Sequence, residues 1–344
     1  MRTHTSSLAR LPTRRLFLGA GLVLALCLAF LWLYPSSSYL YVPNKAKPLA
    51  EKVHVAGARP VDAEGGVYYV DVTIRKATML ERVLAFVRPN GSTLLPEDAV
   101  VPPGSSFEQR AEAGREQMAR SKEVAAAVAL EQAGYDVDAD PRGALVEAVA
   151  GDVPAAKKLN AGDVIVAVDG RPVRTPAQLR AEVSKAEPGD EVLLRIRRGK
   201  DSRTLPVRTV PAPDEPERPV IGIQVSQAAD IHLPREVDID LGAVGGPSAG
   251  LAFSLEILEQ LGRDVDRGYR VAATGEIELD GSVIPVGGLK QKTFGAREAD
   301  ADVFLVPAGD NAAEARRYAD GLRVIPVESF QQALRKLATL PSKG

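Results

Sequence analysis

Gly245-Gly246-Pro247-Ser248-Ala249-Gly250-Leu251 is the stretch around which the C-terminal part of this 344-residue sequence organises. Its small residues let the backbone turn sharply, and a proline close to a helix start is tolerated because no N–H is needed there. A helix is predicted over 251–261, so the turn presents the Ser248 hydroxyl at a helix N-terminus. Free backbone N–H groups at such an end can stabilise a developing oxyanion. A serine that merely caps a helix has the same local pattern, and this segment alone does not choose between the two. Working outward, strands are predicted at 220–225, 271–274, 303–306 and 324–326, and amphipathic helices at 312–319 and 330–338. Residues 220–344 therefore read as an α/β domain.

A second segment runs from Thr274-Gly275-Glu276-Ile277 to Pro285-Val286-Gly287-Gly288-Leu289-Lys290-Gln291-Lys292. A lysine serves as a general base only when neutral, which requires a desolvated or electropositive setting. The positive end of the Ser248 helix would supply part of that setting. Alone, two lysines beside a glycine pair describe an ordinary solvated surface.

Together, Gly-Pro-Ser-Ala-Gly, Thr-Gly-Glu-Ile and Gly-Gly-Leu-x-x-Lys, in that order, resemble the proteolytic domain of the Lon family, peptidase family S16, over about 125 residues. The resemblance implies a serine endopeptidase with Ser248 as nucleophile and Lys292 as base, and Thr274 helping to orient the lysine. Lys290 fills a variable position of the pattern. Backbone N–H groups around Gly246–Ala249 are the expected oxyanion donors, which makes Gly246 and Ala249 supporting residues. The sequence departs from Lon proper in having Gly245 where a charged residue, typically Asp, is usual. Asp238 or Asp240 would be the substitutes, though both also read as ordinary strand or loop carboxylates. No Gly-x-x-x-x-Gly-Lys-Ser/Thr phosphate loop occurs, so no ATP-driven motor is expected. His232 offers a rival histidine base with Asp238 or Asp240, but a lone histidine at a strand end is usually structural.

Upstream, residues 143–149 lead through Pro154-Ala155-Ala156 to 159–173 and, after Pro188-Gly189-Asp190, to a strand at 193–197. This succession resembles the PDZ domains of bacterial envelope proteases and is assigned to 136–210. Such domains bind extended peptides by adding a strand to a sheet edge. The loop implied for that role is Pro141-Arg142-Gly143-Ala144, with Leu145 following, so Arg142, Gly143, Ala144 and Leu145 are the candidate peptide-binding residues. The proline-rich run 211–219 reads as a stiff linker. Residues 36–135 read as a small β-rich N-terminal region, with a strand over 66–74, a short helix over 78–87, a break at 102–106 and a long helix over 107–133.

Arg2, Arg10, Arg14 and Arg15 precede an uncharged apolar run, residues 16–34, of 19 residues. A run of about 20 crosses the bilayer core as a helix. Trp32 and Tyr34 stand at its far end, where interfacial aromatic rings are favoured. The expectation is a single-pass anchor at 1–35, with the N-terminus cytoplasmic and the later domains outside. Thr13-Arg14-Arg15-Leu16-Phe17-Leu18 also looks like a twin-arginine export signal, so cleavage is the alternative. An anchor followed by these two modules resembles the membrane-bound, PDZ-bearing Lon-like proteins of Gram-positive bacteria.

The composition is globular, with net charge −2 and no basic stripe, so no nucleic-acid partner is expected. One cysteine, Cys27, and three histidines make a metal site improbable, and the Ser–Lys reaction requires neither metal nor cofactor. The fold class is a multidomain α+β chain: transmembrane helix, β-rich N-terminal region, PDZ domain and Lon-type α/β domain. The expected partners are polypeptide substrates and, because Lon-type domains commonly form rings, a homo-oligomer of unfixed number. The alternative function is a membrane-tethered peptide-binding scaffold or chaperone without catalysis.

Overall fold

The computed structural model describes residues 13–58, 65–101, 107–212 and 215–343, with side chains from residue 17 onward. The break expected at 102–106, the arginines Arg2 and Arg10, and Pro213-Asp214 of the linker lie outside the described residues. The chain divides into two compact units, Met1–Val42 with Thr73–Val100, and Pro43–Val72 with Val101–Gly344. Elements are numbered along the chain.

The first unit begins with α1 (Thr13–Leu33) and continues through β1 (Pro35–Pro43), β5 (Val72–Thr78), α2 (Met79–Val83), β6 (Thr93–Pro96) and α3 (Glu97–Val100). Its sheet has the order β5-β1-β6. Thr78 caps α2 in a capping box with Glu81, and Arg75 holds the Glu81 carboxylate at 2.6 Å. Most large apolar side chains of α1, from Phe17 to Leu33, are exposed, and so are Val83 at the end of α2 and Phe86 after it. Among the described residues no helix is long and apolar enough to cross a membrane. The span expected over 16–34 is thus not carried by the described helix and stands as a proposal.

The second unit is built on a five-stranded sheet of order β2-β4-β16-β19-β20. Its strands are β2 (Lys47–Pro48), β4 (Gly66–Tyr69), β16 (Arg270–Ala273), β19 (Val303–Pro307) and β20 (Arg323–Val327). The last four run parallel and β2 is antiparallel. Side-chain alternation sends Val271, Ala273, Val303 and Leu305 into one core and Ala272, Phe304 and Val306 into another. The first core holds α4 (Phe107–Gln132), α6 (Gly250–Gln260) and α9 (Phe330–Ala338), and the second holds α7 (Leu289–Glu298) and α8 (Asp310–Arg317). Small strands complete this part: β3 (Val53–Val55) pairs with β15 (Val237–Ile239), and β17 (Glu276–Ile277) with β18 (Val283–Ile284).

This arrangement corrects the N-terminal region expected as a separate piece. The strand expected over 66–74 is two strands in different sheets: β4 pairs with β2 and β16, β5 pairs with β1, and the ladder is broken between them at Val70 and Asp71. Strand β4 is the direct neighbour of β16, so residues 43–72 complete the C-terminal domain. Helix α4 also belongs there: Ser254 Oγ on α6 donates to Ala125 O at 3.1 Å, and Lys122 Nζ to Ile239 O at 2.6 Å.

The intervening domain has the strand order β11-β10-β8-β7-β14, formed by β7 (Asp138–Val149), β8 (Val164–Val168), β10 (Glu191–Arg198), β11 (Asp201–Arg208) and β14 (Ile223–His232). Hairpin strand β9 (Arg171–Pro172) pairs with β8 after the turn at Asp169-Gly170, both with positive φ (48° and 79°) as a two-residue hairpin requires. Helix α5 (Pro176–Val183), capped by Thr175, covers this core. The expected stiff linker instead folds back, since β12 (Val210–Pro211) pairs antiparallel with β13 (Pro219–Val220).

Strand β14 lies along the full length of β7, from Ile223 opposite Val149 to His232 opposite Asp138. The edge expected to receive a peptide is therefore occupied by the chain itself. Leu145, Ala144 and Gly143 lie opposite Ser226, Gln227 and Ala228, and Arg142 pairs with Asp230 at 2.8 Å. A strand with both edges paired has no free N–H and C=O row to offer.

Candidate active site

Helices α6 and α7 pack on opposite faces of the five-stranded sheet, and they converge where β16 ends. In open parallel sheets the carboxyl ends of the strands are where sites form. Thr274 follows β16 directly and is fully buried. Its hydroxyl donates to Ser248 O at 3.0 Å and accepts from Lys292 Nζ at 3.0 Å. The Gly275 N–H also donates to Ser248 O, at 2.9 Å. Three residues 44 positions apart at their extremes are thereby brought together, with Thr274 as the joint.

Lys292 sits in the first turn of α7, its N–H donating to Gly288 O at 2.9 Å. Its side chain is only 3% exposed. Burial penalises the ammonium form and brings the amine down to about 7, with Asp71 pulling the other way. The amine is thus within reach of neutrality at physiological pH. Its contact is to the Thr274 hydroxyl, not to the Ser248 hydroxyl directly. Lys290 turns elsewhere, over the Tyr318 ring at 5.6 Å.

Ser248 precedes α6, whose N-cap is Ala249 with no side-chain capping bond. The capping explanation for this serine therefore falls away. Gly246, at φ 88°, makes the turn before Pro247. Of the expected oxyanion donors, the Gly246 N–H is already given to Gly114 O at 2.7 Å, and Pro247 has none. The Ser248 and Ala249 N–H groups have no hydrogen-bond partner among the described residues. Helix α4 fixes the turn from outside, with Ser121 Oγ donating to Pro247 O at 3.0 Å.

The same helix explains Gly245. A Cβ at that position would lie 3.1 Å from Gly114 C and 3.3 Å from Gly114 O, so the aspartate usual in Lon proper would press on the α4 backbone, which would have to give by a few tenths of an ångström. Neither proposed substitute takes its place: Asp238 lies in β15 opposite His54, and Asp240 caps Gly242 N at 2.9 Å. The carboxylate that acts on Lys292 is Asp71, which follows β4 and accepts from Asn44 Nδ2 at 3.1 Å. Its Oδ1 is buried without a partner. Sequence reading missed Asp71 because the contribution of 43–72 to this domain carries no local motif. His232 is an exposed residue at the end of β14 and does not line the cleft onto which Ser248 opens, which disfavours the histidine rival.

Ser248 opens onto a cleft of about 390 Å³ whose walls come from three places. The C-terminal domain supplies Pro247, Glu276 and 284–287, α4 supplies Gln117, Arg120, Ser121 and Val124, and the β7–β14 domain supplies Glu147, Arg180 and 223–227.

Residues 117–209 match the PDZ domain family, and 220–339 match the Lon protease (S16) C-terminal proteolytic domain. The chain carries a PDZ domain and a Lon-type proteolytic domain. The mitochondrial Lon protease homolog of Debaryomyces hansenii is 37% identical over 116 residues, covering 32% of this chain and 10% of that protein. Lon protease 1 of Myxococcus xanthus is 36% identical over 132 residues (36% and 15%), and Lon protease 2 of Bacillus subtilis 33% over 114 residues (33% and 19%). The chain thus spans less than a fifth of the length of these relatives. Among solved structures, the PDZ domain of an SdrC-like protein from Listeria monocytogenes is 27% identical, covering 24% of this chain and 87% of its own, with a TM-score of 0.23. The proteolytic domain is accordingly related to the serine peptidases of family S16.

Proposed function

We propose that the chain is an ATP-independent serine endopeptidase, anchored in a membrane through the apolar run 16–34, that hydrolyses flexible polypeptide segments with Ser248 and Lys292. The observation that carries this reading is the buried, lowered-pKa Lys292 amine joined through Thr274 to Ser248, within a domain that matches the Lon proteolytic family. Neutral Lys292 takes the Ser248 proton as Oγ bonds to the scissile carbonyl carbon. The oxygen that becomes negative is received by the Ser248 and Ala249 N–H groups. Lys292 returns the proton to the leaving amine, and water, deprotonated in the same way, releases the acyl group.

The PDZ domain serves here as a wall of the cleft, because β14 fills its β7 edge and Glu147 and Arg180 line the same cavity as Ser248. Extended, unfolded segments enter between it and the proteolytic domain. The membrane part rests on the uncharged apolar run 16–34 of the sequence, and on the exposed apolar side chains of α1, Val83 and Phe86, which a bilayer and its interface would cover. The test is digestion of casein by the full chain in detergent. Wild type should cut it and Ser248→Ala and Lys292→Ala should not. Equal cutting by either variant refutes the dyad.

A further inference from the structure

The Ser248 N–H shares a peptide plane with Pro247 O, and the Ala249 N–H shares one with Ser248 O. The described peptide bonds are trans, so each N–H points opposite to the carbonyl of its plane. Whatever holds the carbonyl therefore aims the N–H. Ser248 O is held by the Thr274 hydroxyl at 3.0 Å and the Gly275 N–H at 2.9 Å, both from the proteolytic domain itself. Pro247 O is held by the Ser121 hydroxyl at 3.0 Å, from helix α4, 126 positions away in the chain. Among the described residues the other donor to Pro247 O is the Gly250 N–H, at a longer 3.3 Å.

A serine inside a helix commonly turns its hydroxyl back to a carbonyl of the preceding turn. Ser121 instead gives its proton to another segment; it is 5% exposed and lines the cleft onto which Ser248 opens. Its helix is fastened on several sides. Gly114 O accepts the Gly246 N–H at 2.7 Å, Arg120 pairs with Glu147 of β7 at 2.8 Å, and Lys122 Nζ donates to Ile239 O at 2.6 Å. A hydroxyl carried on so fixed a helix is a rigid grip, which is what a preorganised site requires.

We propose that Ser121 is a positioning residue of the oxyanion hole: by gripping Pro247 O it turns the Ser248 N–H toward the cleft. A helix that begins well before the matched segment 220–339 thus completes the site. Without that grip, the weaker Gly250 bond is the remaining hold on the Pro247 carbonyl. No hydrogen bond joins Ser121 to Lys292 or Thr274 among the described residues, so the proton transfer from Ser248 is left alone.

The inference rests on the peptidase reading, and the experiment keeps the two apart. Ser121→Ala removes the grip and keeps the helix, because alanine is the best helix former. Losing an oxyanion donor outright costs about 10²–10³ in kcat, so releasing one should lower kcat on a fluorogenic casein peptide by about tenfold or more. KM should hold, and so should the pH midpoint near 7 that Lys292 sets, because neither substrate binding nor the lysine uses this plane. Full kcat in Ser121→Ala, or a fall that comes with a moved midpoint or a raised KM, overturns the inference and leaves the peptidase standing. Crystal structures of the wild-type and Ser121→Ala chains are the second readout. In the variant Pro247 O should leave α4 and the Ser248 N–H should turn from the cleft. That result supports the inference even if wild type cuts nothing, and an unmoved plane overturns it.

Discussion

Replacing Lys292 with methionine should stabilise the fold at neutral pH while abolishing cleavage. A fall from 10.5 to about 7, at about 1.4 kcal/mol for each tenfold change in proton affinity, corresponds to about 5 kcal/mol. Its sign follows from proton counting. Between pH 7 and 10.5 the unfolded chain holds the proton and the folded chain does not, so wild-type stability rises with pH across that window. Below pH 7 both states are protonated and the folded state carries the whole cost. Methionine has no such cost and nearly fills the space, but it gives up the hydrogen bond to Thr274, about 1 kcal/mol. The net gain at pH 7 is about 3 kcal/mol once incomplete filling is allowed for, or about 6–12 °C in midpoint. Trp32 is the only tryptophan and lies in α1, so fluorescence does not report on this site. Thermal unfolding by circular dichroism, at pH 7 and pH 9.5 in detergent, does. The gap should be widest at pH 7 and shrink toward pH 10. A variant less stable than wild type at pH 7, with a gap that ignores pH, would mean the buried amine is charged and paired.

Thr274→Val removes the hydroxyl between Lys292 and Ser248 while keeping its shape; kcat should fall at least tenfold, and Thr274→Ser should restore most of it, as steady-state kinetics will show. Gly245→Asp should lower activity, because its Cβ meets the α4 backbone at 3.1 Å; increased hydrogen exchange in α4 would report the displacement. Ser248→Ala should leave the melting curve within about 1 kcal/mol of wild type while casein digestion stops. The full chain should sediment with membranes and be released by detergent but not by high salt; release by salt would refute the anchor.

Much of the C-terminal domain was legible because its signals are local. The helix at 330–338 has a clear apolar period, the long helix over 107–133 was bounded by the break before it and Gly134 after it, and the three strands 271–274, 303–306 and 324–326 are short apolar runs that parallel, doubly covered strands require. The placement of Ser248 and Lys292 in one site was legible only through the ordered motifs, and Thr274 came with them. What escaped was long-range. That β4 would lie beside β16, bringing Asp71 toward Lys292, depends on pairing across about 200 residues, which no local pattern encodes. Helix α7 was hidden because Gly287-Gly288 reads as a loop, although Gly288, at φ 76°, is the residue that starts the helix. Strand β14 was expected to end near 225, and its continuation along β7 reverses the reading of the PDZ edge. Sequence identifies a strand that is able to pair. It does not say that the partner is already present in the same chain.

Acylation of Ser248 as a function of pH is the most direct measurement of whether a neutral Lys292 activates that hydroxyl. The full chain is treated with a serine-directed acylating reagent, and the adduct is located and timed by mass spectrometry. The account predicts an adduct on Ser248 whose rate of formation rises with pH through a midpoint near 7, where the buried amine loses its proton, and which vanishes in Lys292→Ala. An adduct elsewhere, or labelling of Ser248 at the same rate with and without the lysine, would contradict it.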